Sequence, residues 1–482
     1  MSDNFGKTLE RELKLGAGPR FKLPFLPGQP IEPKLLVSTY YDSAGFKLAA
    51  AGITLRYRVE CRKGLWQLKL PREEGRLELE LHGRPEGVPE EMRDLVQAHV
   101  RRDELAPIAK LRTRRVGVRV RDFSRELAEV VHDTVAVVEG RRTLRRFSEL
   151  EIELIDGDRR DMQRLERVLR AAGASDGETR PKVFQALDLP APVGVVAPSR
   201  EAPPTEHLRF MLECQYRMIL DRDPGTRLGD DPEDLHQMRV ATRRLRALLR
   251  AGRPLADLSD WEKLRIELSW LGGALGDVRD HDVLIAQLEQ QVAEFEPADR
   301  RAATRLVDAL RAEREEARSV LLAALRSGRY LKLLDAIEER LRATPLPASE
   351  ISLQEVAAEE FRKLRREVRK LSKNSSDAAL HATRIRGKRA RYAAELAELT
   401  VGKPARGFVR RAKAFQDVVG EHQDAVVAEA KIRDLLAKFG GTRTGVAAGR
   451  LIELQRARRR DARATLDSVW RRLEKSGLST WY

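Results

Sequence analysis

The 482-residue chain has only two cysteines, Cys61 and Cys214, set 153 residues apart and in no CxxC pair. That spacing signals neither a disulfide framework nor a zinc site, and it fits a reducing cytoplasm. Aromatic residues make up 5%, too few to suggest platforms on which bases stack. No run approaches the roughly 18 apolar residues that a bilayer span needs. The first residues, MSDNFGKTLERELKL, lack the basic start and continuous apolar core of a secretory leader. The expectation is a soluble, cytoplasmic protein. What is abundant is charge. Lys and Arg number 91 against 75 Asp and Glu, a formal net charge of +16. Such an excess predicts an anionic partner: nucleic acid, membrane surface or polyanion. The 75 acids argue against a simple polycation, and 42% hydrophobic residues support packed cores.

The clearest break is 190–204, PAPVGVVAPSREAPP, with five prolines in fifteen residues. It sustains neither a helix nor a central strand and reads as a linker. Residues 1–189 carry a net charge of +5 and the remainder +11, so the excess sits in the second half. The first half reads as strands, in short alternating runs such as LERELKL, GITLRYRVE, LWQLKLP, RLELELHG, VVHDTVAVVEG and SELEIEL. Two helical stretches, 89–101 and 161–172, interrupt them. The second half reads as helices rich in Ala, Leu, Arg and Glu, such as 297–325 and 446–475. It also repeats. LHQMRVATRRLRALL (235–249) matches LHATRIRGKRARYAA (380–394), and LGDVRDHDV (275–283) matches VGEHQDAVV (419–427). His236 and His381 are 145 residues apart, and Asp280 and Asp424 are 144 apart. Two motifs recurring in order at one offset predict a duplicated helical bundle, at about 205–345 and 350–475.

Alternation places every second strand residue on one face. Here those faces carry files of like charge: Glu10 and Glu12 then Lys14; Arg56 and Arg58; Glu78 and Glu80; Glu149, Glu151 and Glu153. On an open sheet the files form a solvated face. Turned inward in a closed sheet, they line a pore of both signs that needs filling. Divalent cations on the acids and phosphates on the bases would fill it. Both readings stand on pattern alone. The residues also resemble those of the CYTH family, the triphosphate tunnel metalloenzymes. Glu10-Arg-Glu12-Leu-Lys14 is similar to its ExExK signature, and TYYDSAGFKLAAAGITLRYR (39–58) to its long second motif. Lys69 in WQLKL, Glu78 and Glu80 in RLELE, Arg112 and Arg114 in LRTRR, Asp133 in HDT, the acids of SELEIEL and Lys182 in RPK follow in family order.

The resemblance covers nearly all of 1–189. It implies an eight-stranded antiparallel barrel open at both ends, within an α+β chain. Lys14, Arg56, Arg58, Lys69, Arg112, Arg114 and Lys182 would hold a triphosphate, with Arg115 competing with Arg112 for its place. Metal ligands, for Mg²⁺ or Mn²⁺, would come from Glu10, Glu12, Glu78, Glu80, Asp133, Glu149, Glu151 and Glu153. Of these Glu10, Glu12, Glu149 and Glu151 would be catalytic, and Glu153 is the member expected to turn outward. Phosphoanhydride hydrolysis needs alignment and charge neutralisation more than a protein nucleophile. His132, on the face opposite Asp133, is expected to be structural.

At about 100° per residue, His236, Arg239, Arg243 and Arg246 form a basic stripe, as do His381, Arg384, Lys388 and Arg391. A solvated surface would interleave acids at i+4; these stripes do not, and they occur twice. Metal binding by His236, His281, His381 and His422 is disfavoured, because His236 and His381 sit among guanidinium groups. HxxRVxxRR at 236–244, HxxRIxxKR at 381–389 and the later GDVRD and GEHQD segments resemble the CHAD domain, an α-helical module associated with inorganic polyphosphate. That resemblance covers roughly 205–475. Lys388 stands where the first copy has an arginine, and Gln423 where it has Arg279.

Together the readings imply an inorganic triphosphatase in the first half and polyphosphate capture in the second (205–482), with polyphosphate granules as a place of association. The alternatives are a polyphosphate-binding protein without catalysis, or a tunnel enzyme acting on thiamine triphosphate or cyclising ATP. Nucleic acid is disfavoured, since no helix-turn-helix, zinc module or aromatic RNP-type strand is present. A membrane partner is not expected.

Overall fold

A computed structural model describes residues 5–18, 20–343, 349–372 and 374–482. The chain divides into two units after Gly194, inside the proline-rich stretch. Among the described residues no helix is long and apolar enough to cross a membrane. Both cysteines are free.

The first unit is built on ten strands: β1 (Gly6–Glu10), β2 (Glu12–Gly16), β3 (Gly28–Asp42), β4 (Thr54–Glu60), β5 (Lys63–Arg72), β6 (Gly75–His82), β7 (Ala106–Asp122), β8 (Arg125–Glu139), β9 (Arg142–Leu154) and β10 (Ser175–Asp176). Four helices accompany them: α1 (Lys47–Ala50), α2 (Glu90–Val100), α3 (Arg159–Ala171) and α4 (Lys182–Leu187). All pairings are antiparallel, in the order β1-β6-β5-β4-β3-β7-β8-β9-β2-β10. The expected eight strands are therefore ten, in an order whose ends do not pair. Arg11 divides the N-terminal run, so its halves serve different neighbours, β1 on β6 and β2 on β9. The short β10 is then added beside β2.

The faces of this sheet reverse the usual arrangement, and β9 shows why. Leu150 and Ile152 on one side are fully buried with Leu165 and Leu169 of α3. Glu149, Glu151 and Glu153, at the alternate positions, turn the other way. Asp158 starts α3 with a capping box, accepting from the Asp161 backbone while Asp161 accepts from its own. Strands β1 to β9 all contribute to one cavity of about 300 Å³, so the sheet curls around its charged face. At one end that interior turns apolar. Tyr40, Leu111, Val135 and Val137 of the strands cluster with Ala49 of α1 and with Val183 and Phe184 of α4. An apolar cluster thus packs at this end of the sheet, where a barrel open at both ends was expected.

The second unit holds α5 (Pro204–Leu228), α6 (Pro232–Ala251), α7 (Ser259–Ala293), α8 (Pro297–Arg326), α9 (Gly328–Arg342), α10 (Leu353–Val368), α11 (Asp377–Val401), α12 (Lys403–Phe439) and α13 (Thr442–Trp481). Neighbours pack in the same sequence twice, α5 to α8 and α10 to α13. Helix α9 has no counterpart, and the junction expected near 345 lies outside the described residues. The copies meet where α6 packs on α11 and α8 on α13. One apolar core draws on both, with Leu288 of α7, Leu306 and Leu310 of α8, Ile432 and Leu435 of α12 and Leu451 of α13 all fully buried.

Candidate functional site

Strand register sets the first row of the cavity. Tyr40, Arg56, Gln67 and Glu80 are successive cross-strand neighbours on β3, β4, β5 and β6. Arg56 donates from Nε to Gln67 Oε1 at 2.8 Å and from Nη1 to the Tyr40 hydroxyl at 3.1 Å. Gln67 is 1% exposed and passes the chain on, Nε2 donating to Glu80 Oε1 at 2.6 Å. Two residues along β5, Lys69 donates to the Glu10 carboxylate at 2.6 and 2.5 Å and lies 3.0 Å from Glu78. Burial and a hydrogen bond to Glu78 push Glu10 up to about 8. Against the pull of burial, that bond together with Lys69 and Arg56 holds Glu78 below the carboxylate range. Burial thus favours a proton on Glu10 while the neighbouring bases keep Glu78 ionised. Gly75 permits the approach: its φ is +128°, and a Cβ there would meet the Glu10 carbonyl oxygen at 2.1 Å.

A second group lies on β8 and β9. Asp133, Glu149 and Glu151 are buried, and each offers an oxygen within 4.8 Å of the others. Lys182, the first residue of α4, places Nζ 2.5 Å from Glu149, 2.7 Å from Glu151 and 3.0 Å from Asp133. Arg115 of β7 donates to both Asp133 oxygens, at 2.8 and 2.7 Å, and to Glu151 at 2.7 Å. Lys14 stands 3.5 Å from Glu151 and 3.9 Å from Glu149. Burial raises the Glu149 carboxyl. Glu151 is buried too, but Lys182, Lys14 and Arg115 hold its carboxyl well below the usual range. Three convergent carboxylates are a hard-oxygen donor set of the kind Mg²⁺ and Mn²⁺ prefer. The residues present fit a divalent cation.

The helical unit gathers charge of one sign. Arg239 on α6 pairs with Asp280 on α7 at 2.9 Å, and Arg384 on α11 faces Asp424 on α12 at 3.8 Å. Arg239 and Arg384 pass close to Gly276 of α7 and Gly420 of α12, which are 144 residues apart. A Cβ would come 3.6 Å from Arg239 Nε at the first and 3.9 Å from Arg384 Nε at the second. Arg243 donates to the Tyr392 hydroxyl at 2.9 Å, joining α6 to α11. Burial, with Arg384, Arg243 and Arg239 around it, pushes Lys388 down to about 7. Burial and the nearby Arg279 also lower His236.

Residues 10–180 match the family model for the CYTH domain, and residues 211–433 match that for the CHAD domain. The chain carries a CYTH domain followed by a CHAD domain. It is 29% identical over 473 residues to an uncharacterised protein of Mycobacterium tuberculosis, across 92% of this chain and 90% of that one. Among solved structures, the CHAD domain from Ricinus communis is 26% identical, covering 58% of this chain and 95% of that one, with a TM-score of 0.49. PptA from Streptomyces chartreusis is 23% identical, covering 56% of this chain and 100% of that one, also with a TM-score of 0.49.

Within the CYTH domain the cavity brings together Glu10, Glu12, Lys14, Arg56, Arg58, Lys69, Glu78, Glu80, Glu151, Glu153 and Lys182. Asp133 and Glu149 join them through Lys182. Arg112 and Arg114 do not. Both are exposed, because alternation along β7 turns them away from the face of Leu111, Thr113 and Arg115. Arg115 lines the cavity in their place. Glu153 corrects a second expectation, since it lines the cavity rather than facing outward. Gln67, Arg76 and Tyr40 also line it and were not foreseen. The phase that puts Lys69 inside also puts Gln67 inside, whereas Tyr40 is reached only through its register with Arg56. His132 sits against Phe21, ring centroids 5.8 Å apart, away from the acids.

In the CHAD domain His236, Arg239, Arg243, Arg384 and Lys388 act on one another. The far ends of the stripes diverge. Arg246 is depressed by burial and by Arg265, and Arg391 lies over Tyr392 and 3.1 Å from Glu395. His381 is exposed and 3.0 Å from Gln423. His422 is buried, with Arg463 donating to its Nε2 at 3.1 Å.

Proposed function

We propose that the CYTH domain hydrolyses inorganic triphosphate to pyrophosphate and phosphate, and that the CHAD domain binds polyphosphate. One observation carries the first half of this reading: Arg56, Arg58, Lys69 and Arg76 share a 300 Å³ cavity with Glu10, Glu12, Glu78, Glu80 and Glu151. An ordinary anion pocket would not hold so many acids. A site for phosphate together with a cation needs both signs. Asp133, Glu149 and Glu151 are the residues that would hold Mg²⁺ or Mn²⁺, and Glu10 and Glu78 form the other carboxylate pair. A divalent ion so bound neutralises phosphate charge and acidifies a water.

The chain's own residues do the positioning. Gln67 and Tyr40 fix the Arg56 guanidinium, whose planar fork suits two phosphoryl oxygens. Arg58 and Lys69 extend positive charge along the same face, so an extended phosphate chain lies across the strands. In phosphoryl transfer such alignment and electrostatics supply most of the rate. Polyphosphate binding is supported by the cluster around Lys388, where repelling bases are left for an anion to relieve. The test is a steady-state panel of triphosphate, polyphosphate, ATP and thiamine triphosphate with Mg²⁺ or Mn²⁺. Triphosphate turnover with metal and none with chelator is expected; no turnover of triphosphate with either metal overturns the reading.

A further inference from the structure

The trio Asp133, Glu149 and Glu151 already holds a cation, and it belongs to the protein. Lys182 Nζ lies within 3.0 Å of all three carboxylates. The same helix supplies a second contact, Gln185 Nε2 donating to Glu149 Oε2 at 2.8 Å. Helix α4 is held by Val183 and Phe184, buried in the apolar cluster that fills this end of the interior. Its backbone is therefore anchored, while Lys182, with a side chain only 9% exposed, reaches the trio on a four-carbon stem of rotatable bonds. Arg115 and Lys14 approach the trio from β7 and β2, so Lys182 is not its sole counter-charge.

We propose that Lys182 is an exchangeable plug of the metal site: its ammonium occupies the trio until a divalent cation displaces it. This rests on the reading of the trio as a cation site. The two cations exclude each other. A metal bound by the same oxygens would sit about 3 Å from the ammonium, with no water between them to screen the repulsion. The freed ammonium stays at the cavity wall, where Lys182 already contributes to the lining. Metal entry thereby releases a positive charge to a phosphate chain, which couples the two ligands without movement of the backbone. A group that binds phosphate when metal is present would spend its charge on carboxylates when it is absent.

The experiment measures Mn²⁺ binding to the full chain in phosphate-free buffer, by the electron paramagnetic resonance signal of free Mn²⁺. K182M, K182Q and E149Q are compared with the unaltered protein. Thermal unfolding is followed in EDTA and in Mn²⁺. K182M and K182Q are expected to bind Mn²⁺ about tenfold more tightly or better. Their unfolding temperature should drop in EDTA and rise on adding Mn²⁺ by more than that of the unaltered protein. A K182M protein that folds only with Mn²⁺ supports the plug as well. If both Lys182 variants bind Mn²⁺ no more tightly while E149Q loses it, the trio is a metal site but Lys182 does not plug it. If E149Q leaves Mn²⁺ binding unchanged, the cation lies elsewhere and the reading of the trio itself is overturned.

Discussion

The two domains handle surplus charge in opposite ways. In the CYTH domain several cavity bases lie beside acids: Lys69 between Glu10 and Glu78, Lys182 among three carboxylates, Arg115 on Asp133 and Glu151. In the CHAD domain the bases around Lys388 face one another, with Asp280 paired to Arg239 and Asp424 facing Arg384 at the edge. Paired charges are nearly neutral, and each partner must be released before it can hold a cation or an anion. An unpaired basic cluster stays under repulsion and gains from any polyanion. Under the proposed function, the difference separates a site for chemistry from one for capture.

Breaking the paired site should have the largest effect. E149A together with E151A removes two of three carboxylates, and triphosphate hydrolysis is expected to fall roughly 100-fold or more. Steady-state rates with Mn²⁺ measure it, and retained activity would sink the assignment of the trio. Breaking the capture site comes next. R239A with R384A should weaken binding of long-chain polyphosphate to the full chain by about 10- to 100-fold. The salt dependence of binding should become shallower, by about 0.7 to 0.9 in log–log slope for each phosphate that the protein no longer neutralises. Unchanged affinity in calorimetry would show that the cluster does not bind the anion.

A smaller effect sharpens the contrast by pH. Lys388, pushed down to about 7, is largely charged below that pH and largely neutral above it in the free protein. A bound anion favours the charged form. Polyphosphate affinity should therefore be greatest below pH 7 and fall as pH rises above it, about tenfold for each unit by which the anion raises the ammonium's pKa. K388R should flatten that profile while keeping affinity; a slope unchanged in K388R would mean another group is responsible. The smallest effect is expected at Arg112 and Arg114. Both are exposed on the outer side of β7, so R112A and R114A should leave KM unchanged and alter stability by no more than about 0.5 kcal/mol. R115A in the same assay should raise KM or lower kcat, because it removes the guanidinium that spans Asp133 and Glu151.

Much of this was legible in the sequence where a local period carries the information. Alternation alone put Glu10, Glu12 and Lys14 on one face, and Glu149, Glu151 and Glu153 on another. The fixed offset between HxxRVxxRR and HxxRIxxKR marked the duplication that appears as α6 and α11. In LRTRR the same rule was mute, because arginines occupy both phases of the strand. Only burial of Leu111 and Thr113 decides that Arg115, not Arg112 or Arg114, turns inward. Gln67 was passed over because an uncharged amide between charged files carries no mark of its own; its role exists only once Arg56 and Glu80 flank it across the register.

Local period, charge sign and repeat offset are properties of neighbours along the chain, and the sequence by itself determined them: strands with charged faces, a proline-rich break, and paired basic helices. What meets what was decided by the tertiary structure alone. Arg11 parts the first run so that Glu10 reaches Lys69 on β5 while Lys14 reaches Glu151 on β9. Lys182 enters the acidic trio because an apolar cluster anchors α4 at the end of the curled sheet. Such contacts depend on register, curvature and packing between residues far apart in the chain, and no pattern of adjacent residues encodes them.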